Sequence, residues 1–573
     1  MIKSLDSFQE IWLADYEFQA LLGGKPLPIC MVAHELKKGH RIKVWQDRLL
    51  SLCTPPYSIG PNSLFIAYYS SAEFSCHFAL DWELPQNVLD LYVEFRNLTN
   101  GCPIPSGSGL LGALIKYGIR KFDAIEKDEM RNLAIRGGPF TSDEQKSLLD
   151  YCESDVEALS LLFEKMEPEL DLERALLRGE SMKAVAAMEH TGVPIDMELF
   201  PRLKNNWASI KQKTVDQIDS QYGIYEGTSF KTKRFENYLQ AENIPWPRLE
   251  SGALELKEST FKHMSQTYPQ LTALKDLRWT LSQMKLSELA VGPDGRNRCL
   301  LSPFRAKTGR NQPSTSKFIY GTAAWLRGLI KPEAGYGLAY IDFEQQEFGV
   351  AAALSKDNAM MAAYNSGDPY LAFAKQANAV PPEATKKTHG LIRDQYKACV
   401  LAVQYGMGEH SMALRINQPI AKARELLNVH HETYRSFWKW SDSVVNCALL
   451  KGEIWTVFGW YLYMSHAVNP RSVRNFPMQA NGAEILRLAC CMLVEAGVQI
   501  CAPIHDALLI EAPIDQLEEK VQLSQKLMED ASEVILNGFR LRTDVESIKY
   551  PDRYQDKRGI KMWNTVMDIL DAS

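Results

Sequence analysis

The sequence predicts a multidomain α/β protein. Its 573 residues are too many for one hydrophobic core, so three or four domains are expected. Strand-like runs open the chain, helical periodicity dominates from 171 to about 300, and strand-like runs return after 335. The 46% apolar and 23% charged residues are the balance of an ordinary globular protein.

The first part is read as a mixed α/β domain over residues 1–170. IWLADYEF at 11–18 reads as a buried strand. PICMVAHEL and HRIKVWQ follow as strands joined through Lys37, Lys38 and Gly39, which makes an antiparallel meander. SLFIAYY, at about 64–69, is a fourth strand running into a helix, and 143–166 has helical periodicity. In the next part the helix LERALLRGESMKAVAAMEHT should stop at Gly192 and Pro194. Residues 228–235, TSFKTKRF, read as a basic, hydroxyl-rich turn. After 335, GLAYIDF is a strand ending at Asp342, and helices fill about 357–450. VQICAPI and ALLIEA are two apolar strands meeting at a tight turn that carries His505 and Asp506.

Composition excludes several classes. Without a run of about 18 apolar residues there is no transmembrane helix. The amino terminus lacks the apolar stretch of a signal peptide, so a cytoplasmic protein is expected. The 11 cysteines form no Cys-x-x-Cys pair, which argues for reduced thiols; Cys490 and Cys491 fall in an apolar helical run and read as core. Net charge is −6, yet residues 295–332 hold eight Lys or Arg and no acid. Residues 454–483 also lack acids and carry Arg471 and Arg474. Such stretches are either phosphate-binding surface or solvated basic faces.

Nucleotidyl transfer uses two divalent ions about 3.5–4 Å apart, held by carboxylates on fixed backbone. Asp342 at a strand end and Asp506 at a hairpin tip are suitable suppliers, though each alone is an ordinary acid. Between them Arg393, Lys397, Leu401 and Tyr405 recur every four residues, forming one slanted helix face. Its two cations suit a triphosphate, and its ring suits a base.

Together these segments resemble the three polymerase motifs of family A DNA polymerases, the DNA polymerase I family. The first motif is Asp342-Phe343-Glu344-Gln345-Gln346-Glu347, the second Arg393, Lys397, Leu401, Tyr405 and Gly406, the third His505-Asp506-Ala507. Thr308-Gly309-Arg310 resembles the family's primer contact, and Arg471, Asn475 and Gln479 its template and minor-groove contacts. The resemblance implies a right-hand fold of palm, fingers and thumb. Its parts would be connecting helices and thumb at 171–304, palm at 305–356 and 441–573, and fingers at 357–440.

It further implies two Mg²⁺ ions on Asp342 and Asp506, with Mn²⁺ able to substitute. Arg393 and Lys397 would grip the incoming deoxynucleoside triphosphate, with Lys397 also protonating pyrophosphate. Tyr405 would stack on the nascent pair, and Gln345 and Tyr370 would join the substrate site. Glu347 would exclude a ribose 2′-hydroxyl, while Arg310, Arg471, Asn475, Gln479 and His505 would touch primer-template DNA. Leu401 stands where the family has Phe or Tyr, and Ala507 where it has Glu; Glu344 in place of Ser could compensate for Ala507.

In the amino-terminal part, Asp15 and Glu17 project from one strand face, and Tyr151 and Asp155 share a helix face. The pattern resembles the family's 3′–5′ proofreading exonuclease, of ribonuclease-H-like fold. It implies a second two-metal site on Asp15, Glu17 and Asp155. Glu73 is the preferred fourth acid, with Asp90 its rival and otherwise a supporting residue. The resemblance covers nearly the whole chain apart from the family's 5′-nuclease domain, as in a phage, prophage or plasmid replicase. A monomer is expected, with replication accessory proteins as further partners. A single-subunit RNA polymerase would share the palm chemistry, but Glu347 and the exonuclease acids oppose that reading. A non-catalytic DNA-binding scaffold would need the cations and not the acid pair.

Overall fold

The computed structural model describes residues 4–119, 124–284, 286, 288–404, 406–416, 418–464 and 469–572. Its amino-terminal sheet has the strands β1 (Glu10–Gln19), β2 (Leu27–Glu35), β3 (Arg41–Trp45), β4 (Ser63–Ala67) and β5 (Val88–Asp90), in the order β3-β2-β1-β4-β5. The first three form the expected antiparallel meander, and β4 and β5 run parallel to β1. Central strand β1 is covered on both faces, which is why its apolar residues do not simply alternate with polar ones. Helix α1 (Ser71–Ala79) follows β4, and the long helix α2 (Ser142–Met166) lies over β1 and β2. A capping box between Thr141 and Glu144 starts α2.

Helix α3 (Leu172–Thr191) stops where the sequence placed its end: Gly192 has φ 66°, and a side chain there would strike Arg298. Helices Trp207–Asp219, Thr232–Ala241, Glu258–Thr267 and Thr272–Gln283 follow, and 215–281 has its own core. The turn expected at 228–235 is instead a short strand, Ser229–Phe230, followed by the first turn of a helix. Phe230 and Phe235 pack on Phe261, and this aromatic cluster fixes a segment whose polar composition suggested a loop.

The second sheet has the strands β6 (Tyr336–Phe343), β7 (Gln499–Ile504), β8 (Ala507–Pro513) and β9 (Thr543–Lys549), in the order β7-β8-β6-β9, all antiparallel. Strand β6 runs one residue past Asp342. Helices α4 (Gln346–Ser355), α5 (Pro369–Gln376) and α6 (Gly390–Gln404) lie in the segment between β6 and β7. Helix α7 (Pro470–Glu495) and helix α8 (Leu517–Ile535) pack on each other and on this sheet.

The two sheets are joined through polar and apolar contacts. Arg178 on α3 makes two 2.7 Å bonds to Glu94, both side chains being buried. Asn97 donates to the Gly459 carbonyl at 3.1 Å and accepts from the Tyr461 amide at 2.8 Å. Asn100 donates to the carbonyls of Lys307 and Tyr461. Tyr92, Val93 and Met182 pack with Phe304, Trp460 and Phe476 in one apolar cluster. No helix among the described residues is long and apolar enough to cross a membrane. Cys490 and Cys491 are buried, as their apolar run implied.

Candidate active sites

Asp342 lies near the end of β6, between Ala507 of β8 and Asp544 of β9 in the strand register. Asp506 sits beside it in the two-residue turn from β7 to β8, where His505 takes a left-handed φ of 57°. Burial, then the charges of Asp506 and Asp544, push the Asp342 carboxyl up to about 7. Burial also raises Asp506, and Arg310 opposes that shift. Asp342 Oδ1 is shut off from solvent and has no hydrogen-bond partner among the described residues. Crowded carboxylates with an unsatisfied oxygen suit a divalent cation, which would supply the missing positive charge.

Around this pair the predicted residues converge. Glu347 on α4 lies 3.6 Å from Arg310; burial raises its carboxyl, and Arg310 and Gln479 of α7 oppose that shift. Arg471, Asn475 and Gln479 recur every four residues along α7 and so share a face. Asn475 Oδ1 is buried without a partner, and Arg471 packs against Gly406, where a side chain would collide with it. Gln345 takes a left-handed φ of 46° at the start of α4, with its Oε1 buried and unpartnered. His505 is exposed at its hairpin tip and helps line a cavity of about 260 Å³ with Arg310, Phe304 and Arg487.

On α6, Arg393 and Lys397 both lie over the ring of buried Tyr370, at 5.4 and 5.6 Å from its centre. Leu401 is half-buried on the same helix. Tyr405 lies outside the described residues.

In the amino-terminal region, Asp15, Glu17 and Asp155 bring one carboxylate oxygen each to within 4.8 Å of one another. Tyr151 hydrogen-bonds Asp155 from one turn earlier, and burial and that carboxylate push its hydroxyl pKa upward. Glu73 on α1 is buried, and its Oε2 has no hydrogen-bond partner. Burial raises its carboxyl, and the charges of Asp15 and Glu17 raise it further. Asp90 is otherwise engaged: it accepts from Ser70 Oγ at 2.7 Å, from the Ser70 amide at 2.6 Å and from the Val93 amide at 3.0 Å. It caps the helix Leu91–Thr99 and ties down the loop before α1, a supporting position.

Two expectations need correction. Glu344 does not join Asp342; its Oε2 accepts from Arg542 Nε at 2.9 Å, and that guanidinium takes up its charge. The basic stretch 295–332 is also less available than its charge suggests. Arg296 pairs with buried Glu511, Arg298 with Asp294, Arg327 with Asp556 and Lys331 with Asp196. Half of that basic set therefore holds the fold together.

Sequence reasoning missed three residues. Asp368 takes Arg393 Nε at 2.5 Å and caps α5; an Asp-Pro pair before an apolar run was a readable capping signal. Arg487 donates to the Gly309 carbonyl at 2.7 Å and so anchors the Thr308-Gly309-Arg310 turn. Asp544 faces Asp342 only through strand register, for which the sequence carries no local mark.

Two acids at one sheet rim, cations along α6 and the Arg471, Asn475 and Gln479 face of α7 make up this candidate site. Residues 314–548 match the sequence model of DNA polymerase family A. The chain is similar to DNA polymerase I of Chloroflexus aurantiacus, with 24% identity over 415 residues, 66% of this chain and 44% of the relative. The Aquifex aeolicus DNA polymerase I is 24% identical over 451 residues, 72% of this chain and 76% of the relative. The thermostable DNA polymerase I of Thermus thermophilus is 25% identical over 383 residues, 61% and 45% of the two chains. The chain thus spans less than half the length of the Chloroflexus and Thermus relatives. Its fold resembles the POL domain of Pol1 from M. smegmatis, solved with DNA primer-template and dNTP, at a TM-score of 0.72 and 17% identity over 94% of each chain.

Proposed function

We propose that the chain is a template-directed DNA polymerase that extends a primer 3′ end with deoxynucleoside triphosphates. The carrying observation is the Asp342–Asp506 pair: two acids on adjoining strand ends, one with a buried and unsatisfied oxygen. Asp342 and Asp506 would hold two Mg²⁺ ions, or Mn²⁺ in their place. Such ions, when bound, ease ionisation of the primer 3′-hydroxyl and neutralise charge on the departing pyrophosphate.

The chain's own groups do the rest. Arg393 and Lys397 bind the triphosphate, and Lys397 gives a proton to the leaving pyrophosphate. Tyr370 holds both cations from beneath, Gln345 and Tyr405 complete the nucleotide pocket, and Glu347 fills the space a 2′-hydroxyl would need. Arg310, Arg471, Asn475, Gln479 and His505 hold the primer-template. Residues 305–356 and 441–573 act as the palm, 357–440 as the fingers and 171–304 as the connecting helices and thumb.

The amino-terminal residues 1–170 are proposed to be a ribonuclease-H-like 3′–5′ exonuclease domain that proofreads. Asp15, Glu17 and Asp155 would hold its metals, Glu73 would be the fourth acid, and Tyr151 would orient the attacking water. The Asp15, Glu17 and Asp155 cluster supports this reading.

Purified protein with Mg²⁺ and a primed template tests both activities, using matched and mismatched 3′ ends. Extension of the matched end and trimming of the mismatched one are expected. A protein that elongates no primer across varied metal and salt is not a DNA polymerase.

A further inference from the structure

Four residues form one row across the second sheet: Ile504 pairs with Ala507, Ala507 with Asp342, and Asp342 with Asp544. Directly opposed residues project from the same sheet face, with Cβ atoms about 4.5–5.5 Å apart. Ala507 is fully buried and offers no ligand atom on its side of Asp342. The neighbour on the other side is an acid. Asp544 is exposed, and among the described residues its carboxylate accepts one hydrogen bond, from the Val545 amide at 3.0 Å.

Other acids nearby are less suited. Glu344 is paired with Arg542. Glu546 opposes Tyr340, two residues along β6 from Asp342. Asp342 Oδ1, buried and without a partner, independently marks this point of the sheet as a place for a cation. An ion of the Mg²⁺ type takes six oxygens, which carboxylates share with water and substrate phosphate, so a further nearby carboxylate has a position to fill. An exposed aspartate on a strand changes rotamer readily, so leaving the Val545 amide costs it little.

We propose that Asp544 is the third carboxylate of the polymerase metal site, reaching Asp342 from β9, on the side opposite Ala507. This rests on the reading of Asp342 and Asp506 as the metal-holding pair.

The test is Mn²⁺ binding by the full-length protein, followed by electron paramagnetic resonance. An Asp15→Ala, Asp155→Ala background silences the amino-terminal acids. Asp544→Asn in that background should weaken Mn²⁺ binding about tenfold, the lower end of what losing a metal-supporting group costs. It should also raise the metal concentration for half-maximal extension while leaving primer-template affinity unchanged. Ala507→Glu added to Asp544→Asn should restore the affinity by supplying a carboxylate from the other side. The single-variant titration decides the matter if the buried position rejects Glu. Unchanged binding in Asp544→Asn, with binding lost in Asp342→Asn, overturns the role of Asp544 alone. Unchanged binding in Asp342→Asn as well overturns the metal-pair reading and this proposal with it.

Discussion

Arg393 and Asp368 form an ion pair of 2.5 Å, and the same aspartate caps the helix whose Tyr370 lies beneath Arg393 and Lys397. The guanidinium is thus held at its Nε, and its Nη1 donates to Asp394 at 3.1 Å, which fixes the plane it presents to an anion. Arg393→Ala should raise KM for deoxynucleotides about 10- to 100-fold, the range for losing a charge-assisted hydrogen bond worth about 1.5–3 kcal/mol. Asp368→Asn should give a smaller rise, because the cation stays but its anchor weakens. Steady-state single-nucleotide incorporation measures both; an unchanged KM in Arg393→Ala removes it from the triphosphate site.

Asp342→Asn and Asp506→Asn should each reduce primer extension by at least about a hundredfold, since each removes a charge on which transition-state stabilisation depends. Primer-template affinity, read by fluorescence anisotropy, should stay within about twofold because the proposed DNA contacts are cationic and amide side chains, not these carboxylates. Loss of DNA binding in step with activity would point to a folding defect instead.

Asp15→Ala should stop release of a labelled 3′ nucleotide and leave synthesis intact, as the two acid clusters stand on separate sheets. Glu73→Gln should slow the same release, and Asp90→Ala should mainly lower stability, by about 1 kcal/mol for a lost helix cap. If Asp90→Ala abolished trimming without lowering the melting temperature, the assignment of the fourth acid would move from Glu73 to Asp90.

Asp556 gives a pH dependence with a definite sign. Hydrogen bonding to Arg558, assisted by Arg327, holds its carboxyl down at about 2, against an ordinary 3.8. The folded protein binds this proton less readily than the unfolded chain does. The resulting stability is complete above the unfolded value and is lost as pH falls through the folded one, between about 4 and 2. Asp556→Asn should therefore flatten the fall of melting temperature across that acid window, as followed by circular dichroism. Parallel curves for the two proteins would discard the linkage.

Much of this architecture is legible in the sequence, for identifiable reasons. The meander, the helix stop at Gly192 and the His505–Asp506 turn each have a local cause: short apolar runs joined by a Lys-Lys-Gly turn, positive φ at glycine and a two-residue hairpin. The convergence of Glu73 with Asp15 was suggested by motif order, and the fold brings them close enough for their charges to interact. What stayed hidden depends on pairing across the chain. Asp544 meets Asp342 only because β9 adopts one register. The basic stretch 295–332 lost half its apparent surface to carboxylates that range from nearby Asp294 to distant Glu511 and Asp556. Composition gives the charge but not its partner.

The contact between the two sheets also bears on how a polymerase with an editing site would work. Arg178 with Glu94, and Asn97 and Asn100 with the segment around Tyr461, tie the two regions together by direct hydrogen bonds. A primer end leaving one acid cluster for the other would cross a gap of constant length. The enzyme would then act as a ruler, with its own dimensions setting how many base pairs must open before a mistake can be removed. Fidelity would depend on how easily a mismatched terminus frays.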